Sequence, residues 1–137
     1  MCTLSNSTLP VVYTCAGASN LAQLANDIGL WLHQQQHARM SALAGLAGRD
    51  AEHIEELQSA QAIVAVDGCG KACVKHSLAQ FSVTPRWHIN LETIGIRKCS
   101  SGVCSLQETF KAMRHVSDCM NIQTDERFSD HLDAPQR

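Results

Sequence analysis

The chain has 137 residues, of which 45% are hydrophobic and 18% charged, with 11 lysines and arginines against 13 aspartates and glutamates. This composition is typical of one folded domain and excludes a chain that is disordered throughout. A net charge of −2 supplies no general attraction to nucleic acid or to an anionic membrane surface. The sequence also lacks an apolar run long enough to span a bilayer. We therefore expect neither nucleic-acid binding nor membrane association.

Cysteine is the residue type that stands out, since the chain contains seven cysteines beside seven histidines. An odd number of cysteines cannot be fully paired in disulfides within one chain. The first residues lack the basic and apolar regions of a secretory signal peptide. We therefore expect a cytoplasmic protein with reduced thiols, in which several cysteines serve metal or thiol chemistry and two or three are small core residues.

Predicted strands and helices alternate along the chain. Hydrophobic periodicity, caps and turn residues predict them in this order: a strand at 10–14, a helix from 20 to about 36, a strand at 38–44, a short helix after Asp50, a strand at 62–67, a helix at 71–81, a strand at 87–91, and a helix that opens with a capping box at 105–108. Residues 10–120 are expected to form a single domain between a flexible N-terminal tail at 1–9 and a polar C-terminal tail at 121–137.

This alternation predicts an α/β fold. Strand followed by helix, four times over, favours a three-layer sandwich with a four-stranded, mainly parallel sheet between helices, similar to Rossmann and flavodoxin folds. Right-handed crossovers make 2-1-3-4 the simplest strand order. Ligands of such sheets bind beyond the carboxyl ends of the strands where the order reverses, here between the first and third strands.

Three cysteines fall at that edge of the predicted sheet. Cys15 directly follows the first strand, and Cys69 follows the third. Cys73 comes four residues after Cys69, a spacing that would place both on one face of the predicted helix. Because converging thiolates suit Zn²⁺, which prefers four tetrahedral ligands from cysteine and histidine, we predict a zinc site with Cys15, Cys69 and Cys73 as ligands.

The fourth ligand has several candidates. We predict Cys104, which lies just before the last helix in a loop that opens at the same edge of the sheet. Cys99 in that loop, His76 by helical phase, and a water molecule are the alternatives. Cys99 and Cys104 are also candidates for a reversible dithiol pair. The remaining cysteines are expected to be incidental, Cys2 as a surface thiol and Cys119 as a core residue.

Three segments resemble the DGC-domain family. They are VYTCAG at 12–17, LAGLAG at 43–48 and DGC at 67–69 with Cys73 beyond it, and the resemblance extends from about Pro10 to Leu91. It implies a small zinc-binding protein, so described because of its cysteines, with no firm biochemical activity. Members often carry a cysteine immediately before the second segment, where this chain has Ala42. The ligand set that the resemblance implies is therefore Cys15, Cys69 and Cys73.

Two function hypotheses follow. The first is a zinc-binding protein in metal or thiol handling or sensing. The alternative is a cysteine-dependent thiol enzyme, or a phosphoryl or sulfur carrier, with Cys15 or Cys69 as nucleophile. A low-molecular-weight phosphatase is excluded, because six residues after Cys15 this chain has Leu21 instead of the arginine that binds the phosphoryl group. Asp67 is expected to serve the turn in which it lies.

Overall fold

The structure, a computed structural model, describes residues 8–123. Its elements are β1 (Val11–Thr14), α1 (Asn20–Gln34), β2 (Arg39–Met40), α2 (Leu43–Ala47), α3 (Ala51–Ser59), β3 (Ile63–Asp67), α4 (Cys73–Ala79), β4 (Trp87–Asn90), a 3-10 helix (Leu91–Ile94) and α5 (Leu106–Met120). Within this range no helix has both the length and the apolar character needed to cross a bilayer. Cys2 and most of the two predicted tails lie outside the described residues.

The four strands form one sheet in the order β2-β1-β3-β4, and every pair in it is parallel. This confirms the predicted α/β class and strand order. Side chains alternate between the two faces of the sheet, and each face carries its own buried cluster. The face toward α1 and α5 buries Val12, Val64, Val66 and Ile89. The face toward α2, α3 and α4 buries Val11, Tyr13, Ile63 and Ala65.

The second strand is much shorter than predicted. It spans Arg39–Met40, and the residues expected to continue it form α2, Leu43–Ala47. The predicted strand at 38–44 was therefore wrong in its second half. Alanine and leucine are among the strongest helix formers, and this segment has no β-branched residue to favour an extended backbone.

The helix after β3 also begins later than predicted. Its first residue is Cys73, and the preceding residue, Ala72, has a left-handed backbone with φ of 49° and no side-chain cap. Cys69 therefore lies in the turn before α4. The spacing had predicted that Cys69 and Cys73 share one face of a helix, and this prediction was wrong. Both cysteines nevertheless line one cavity at this turn.

Asp67 supplies the cap that Ala72 lacks. Its carboxylate is only 1% exposed, and it accepts hydrogen bonds from the backbone N–H groups of Val74 (2.8 Å) and Lys75 (3.2 Å) in the first turn of α4. The same carboxylate lies 2.8 Å from Nε2 of His88 on β4. The expectation that Asp67 serves its own turn was wrong, because the side chain joins β3, α4 and β4 instead.

Gly68 lets the turn after β3 pack directly on α1. A Cβ at this position would lie 2.8 Å from the backbone carbonyl carbon and oxygen of Leu21 and 3.0 Å from the backbone nitrogen of Ala22. These are backbone atoms of α1, and they cannot shift to relieve the overlap as the end of a flexible side chain can. The absence of a side chain is therefore what brings the end of β3 against the start of α1.

Replacing Asp67 with alanine is predicted to destabilise the fold by about 1–3 kcal/mol, because two N–H groups of α4 lose their acceptor. The measurement is the free energy of unfolding in urea. Asp27→Ala, at an exposed position of α1, is the matched control and should change it by less than about 0.5 kcal/mol. Equal effects of the two substitutions would contradict the capping role.

Gly68→Ala is predicted to cost about 1–3 kcal/mol of stability, since the added methyl group overlaps the backbone of α1. Gly70→Ala is the control two residues away, where the nearest atom to an added Cβ is Oε2 of Glu92 at an ordinary 3.5 Å. Thermal unfolding of both variants measures the difference. A Gly68→Ala protein as stable as the Gly70→Ala protein would show that the close approach to α1 is unimportant.

Candidate functional site

A cavity of about 220 Å³ lies at the carboxyl edge of β1 and β3. It is lined by the loop that joins β1 to α1, by the turn between β3 and α4, and by one residue from the segment before α5, which is Lys98. Cys15, Cys69 and Cys73 all line this cavity. The structure thus brings together the three cysteines that the sequence predicts as metal ligands, at the edge where the strand order predicts a site.

Cys15 is half-buried at the end of β1. The backbone N–H of Gly68 donates a hydrogen bond of 3.2 Å to its Sγ, which fixes the sulfur against the turn after β3. Burial raises the pKa of the Cys15 thiol, and the bond from Gly68 acts in the opposite direction. The nearby charges of Asp67, Cys69 and Cys73 add to the upward shift of this pKa. Burial thus favours the neutral thiol form of Cys15 in the metal-free protein.

Asn90, at the end of β4, and Glu92, in the 3-10 helix after it, hydrogen-bond to the Asp-Gly-Cys turn. The carbonyl of Gly68 accepts a hydrogen bond from the backbone N–H of Glu92 (3.1 Å). The carbonyl of Cys69 accepts one from Nδ2 of Asn90 (3.0 Å), and the N–H of Gly70 donates one to Oε2 of Glu92 (2.7 Å). All three turn residues after β3 are therefore bonded, so the position of Cys69 does not depend on its own side chain.

Two lysines make the cavity cationic. Nζ of Lys98 lies 3.4 Å from Sγ of Cys69 and donates to it, and Lys71 also lines the cavity. An ammonium group at this distance attracts a negatively charged sulfur. Lys98 was not singled out from the sequence. Nothing in the sequence signals its contact, because it lies in an irregular segment far along the chain from Cys69.

Asn20 anchors the segment that carries Lys98. This residue is 5% exposed at the first position of α1. Its Nδ2 donates to the carbonyl of Arg97 (2.9 Å), and its Oδ1 accepts from the N–H of Cys99 (2.7 Å). Its own backbone N–H donates to the carbonyl of Cys99 (3.2 Å). Lys98 lies between these two bonded residues, so Asn20 determines where its backbone runs.

The candidates for a fourth ligand do not line the cavity. The Cys104 thiol donates to the backbone carbonyl of Asn20, with 3.6 Å between sulfur and oxygen, and burial raises its pKa. Cys99 and His76 are exposed. The assignment of Cys104 as the fourth ligand stays a prediction. The structure gives Cys99 and Cys104 as free thiols, and does not pair them.

The cavity suits zinc in its donor chemistry. Across residues 8–123, no three or more side chains of the types His, Cys, Asp and Glu are gathered closely enough to hold a metal ion as they stand. The three thiols of the cavity are nevertheless soft donors of the kind that zinc prefers. The two lysines would offset part of the charge of three thiolates. Holding an ion thus requires the three sulfurs to draw together within the cavity.

Cys119 lies on the surface, although it was predicted to be a core residue. Its side chain is exposed on α5, with its Sγ 3.5 Å from Nε2 of His115. The expectation that it packs in the core was wrong. The last part of α5 packs instead through buried Val116 and half-buried Met120.

Comparison with known proteins places the chain in a family. The model of the DGC domain matches residues 11–116, which confirms the resemblance seen in the sequence. The chain is also 41% identical over 100 residues to the anaerobic and virulence modulator AnvM of Pseudomonas aeruginosa, a match that covers 73% of this chain and 76% of AnvM. No solved structure matches the chain. Since the DGC model spans most of the sequence, including all four strands, this protein belongs to the DGC domain family.

Proposed function

We propose that this protein binds one zinc ion through the thiolates of Cys15, Cys69 and Cys73, and that it handles or senses metal ions or thiols. The observation that carries the proposal is that these three cysteines, from two separate loops, line one cavity at the carboxyl edge of the sheet. That edge is where ligands of open α/β sheets bind.

Each ligand is held by a different part of the chain. The N–H of Gly68 positions the Cys15 sulfur, the bonded turn after β3 positions Cys69, and the carboxylate of Asp67 fixes the first turn of α4, where Cys73 lies. A bound zinc ion would supply a soft Lewis acid that ties these loops together. Three thiolates with one zinc ion carry a net negative charge, which the ammonium group of Lys98 would offset.

A sensing role is supported by the relative named as a modulator. AnvM is described as an anaerobic and virulence modulator, and a regulatory role of that general kind agrees with a small domain whose thiols can be occupied or free. A site made of thiolates requires reduced cysteines. Because cysteines usually stay reduced in the cytoplasm, we propose that the protein is cytoplasmic.

The second candidate function is thiol chemistry at a nucleophilic cysteine. Its specific support is the contact between Lys98 and Cys69. Of the two nucleophiles predicted from the sequence, Cys69 is favoured, because Cys15 is a half-buried thiol whose pKa is raised by burial.

Protein purified under reducing conditions is predicted to contain about one zinc ion per chain, and Cys69→Ser to contain almost none. The reason is that serine replaces a thiolate ligand with a hydroxyl that binds zinc poorly. Elemental analysis measures the metal content. Absorption of the cobalt-substituted protein reports sulfur coordination independently, through the charge-transfer bands between thiolate and cobalt.

Cys119→Ser is the matched control, since it removes an exposed cysteine that does not line the cavity. It should keep the full zinc content. Zinc-free wild-type protein that also fails to take up added zinc would refute the proposal. Equal loss of zinc in Cys119→Ser and Cys69→Ser would show that the zinc site is not in the cavity.

A further inference from the structure

We propose that Cys69 of the metal-free protein is a site of reversible thiolation by small anionic disulfides. The contact that carries this inference is the one between the Lys98 ammonium group and the Cys69 sulfur, inside a cavity lined by a second lysine. The inference goes beyond zinc binding and does not require it. Zinc and a disulfide would compete for the same sulfur.

The charge of the cavity selects an anionic partner. Among its lining residues, Lys71 and Lys98 are cationic and Asp67 is the single acid. The carboxylate of Asp67 is already engaged, by two N–H groups of α4 and by His88. A disulfide whose halves carry carboxylates therefore meets two ammonium groups with no competing free acid, whereas a cationic disulfide is repelled by both.

The cavity has room for part of a small molecule beside Cys69, since its volume is about 220 Å³. Cys15 and Cys69 are both partly exposed at its wall, but the Cys15 sulfur already accepts a hydrogen bond from the backbone N–H of Gly68. Cys73 lines the same cavity and is more exposed, but the lysine contact is made to Cys69. We therefore assign the first reaction to Cys69.

The reaction is a thiol–disulfide exchange, and it needs no other oxidant. The Cys69 thiolate, its proton lost to solvent, attacks one sulfur of the disulfide. The original S–S bond breaks as a new one forms between Sγ of Cys69 and the attacked half. The other half leaves as a thiolate with the bonding electron pair, into the field of the two lysines. Excess free thiol reverses the exchange and regenerates Cys69.

Asn20 acts in this reaction as a positioning residue. It holds Arg97 and Cys99 on either side of Lys98 through its side-chain amide. If this amide is lost, the segment is free to carry the ammonium group away from Cys69. Asn20→Ala should therefore weaken the selection of anionic disulfides while Lys98 itself is still present.

The test follows thiolation of metal-free protein with glutathione disulfide, which is anionic, and with cystamine, which is cationic. Peptide mapping by mass spectrometry identifies the first cysteine modified and its rate. We expect Cys69 first with glutathione disulfide. Lys98→Met should slow this reaction about tenfold more than it slows the cystamine reaction, because a charged cleft raises the local concentration of its counter-ion, whereas loss of the cation beside the Cys69 sulfur affects attack on both disulfides alike. Lys111→Met, at an exposed lysine outside the cavity, is the matched control and should change neither rate.

Salt provides a measurement that needs no variant, since added salt screens exposed charges and should reduce the preference of wild-type protein for glutathione disulfide. First modification at another cysteine, equal slowing of both disulfides in Lys98→Met, or a preference insensitive to salt would each overturn the inference. Zinc content, measured on the same preparation before chelation, reports on the zinc proposal separately. If the protein contains no zinc but is thiolated at Cys69 as described, the thiolation proposal is supported and the zinc proposal is refuted.

Discussion

The carboxylate of Asp67 is the interaction on which the candidate site depends. It lies at the end of the central strand β3, almost fully buried, and joins that strand to the start of α4 and to His88 on β4. A buried carboxylate is costly unless its oxygens are hydrogen-bonded, and here both oxygens have partners. The turn that follows contains no capping side chain of its own, because Asp67, Asn90 and Glu92 supply its hydrogen-bond partners.

The groups that hold the loops of the site in place are different from the groups that could react or bind a ligand there. Backbone and amide groups hold the loops, while the three thiols and two lysines are left to face the cavity. The thiols differ in their surroundings, since Cys15 is half-buried beside a backbone N–H and Cys69 lies beside an ammonium group. Under the two proposals, one cavity would bind a zinc ion through three sulfurs or react with an anionic disulfide at one of them. Occupation by one partner would exclude the other, which is a physical basis for sensing.

Much of the fold could be predicted from local patterns in the sequence. Buried β-branched runs and helix caps such as Ser19 and the capping box at Ser105 marked the elements, and their alternation led to the strand order. The positions of Cys15 and Cys69 followed from strand ends. Lys98, Asn20 and the capping by Asp67 could not be predicted, because each acts on residues that only the folded chain brings near. Cys119 was misplaced because Val116 and Met120 occupy the inward face of α5 and leave Cys119 outside it.

X-ray absorption at the zinc edge tests whether thiolates that follow β1 and β3 bind the same zinc ion. We expect the zinc of the loaded protein to have three sulfur neighbours at about 2.3 Å, and one fewer in Cys15→Ser. Cys15 is the decisive position because it is the proposed ligand that follows β1, whereas Cys69 and Cys73 follow β3. A zinc ion surrounded only by oxygen and nitrogen, or a sulfur count unchanged by Cys15→Ser, would contradict the account.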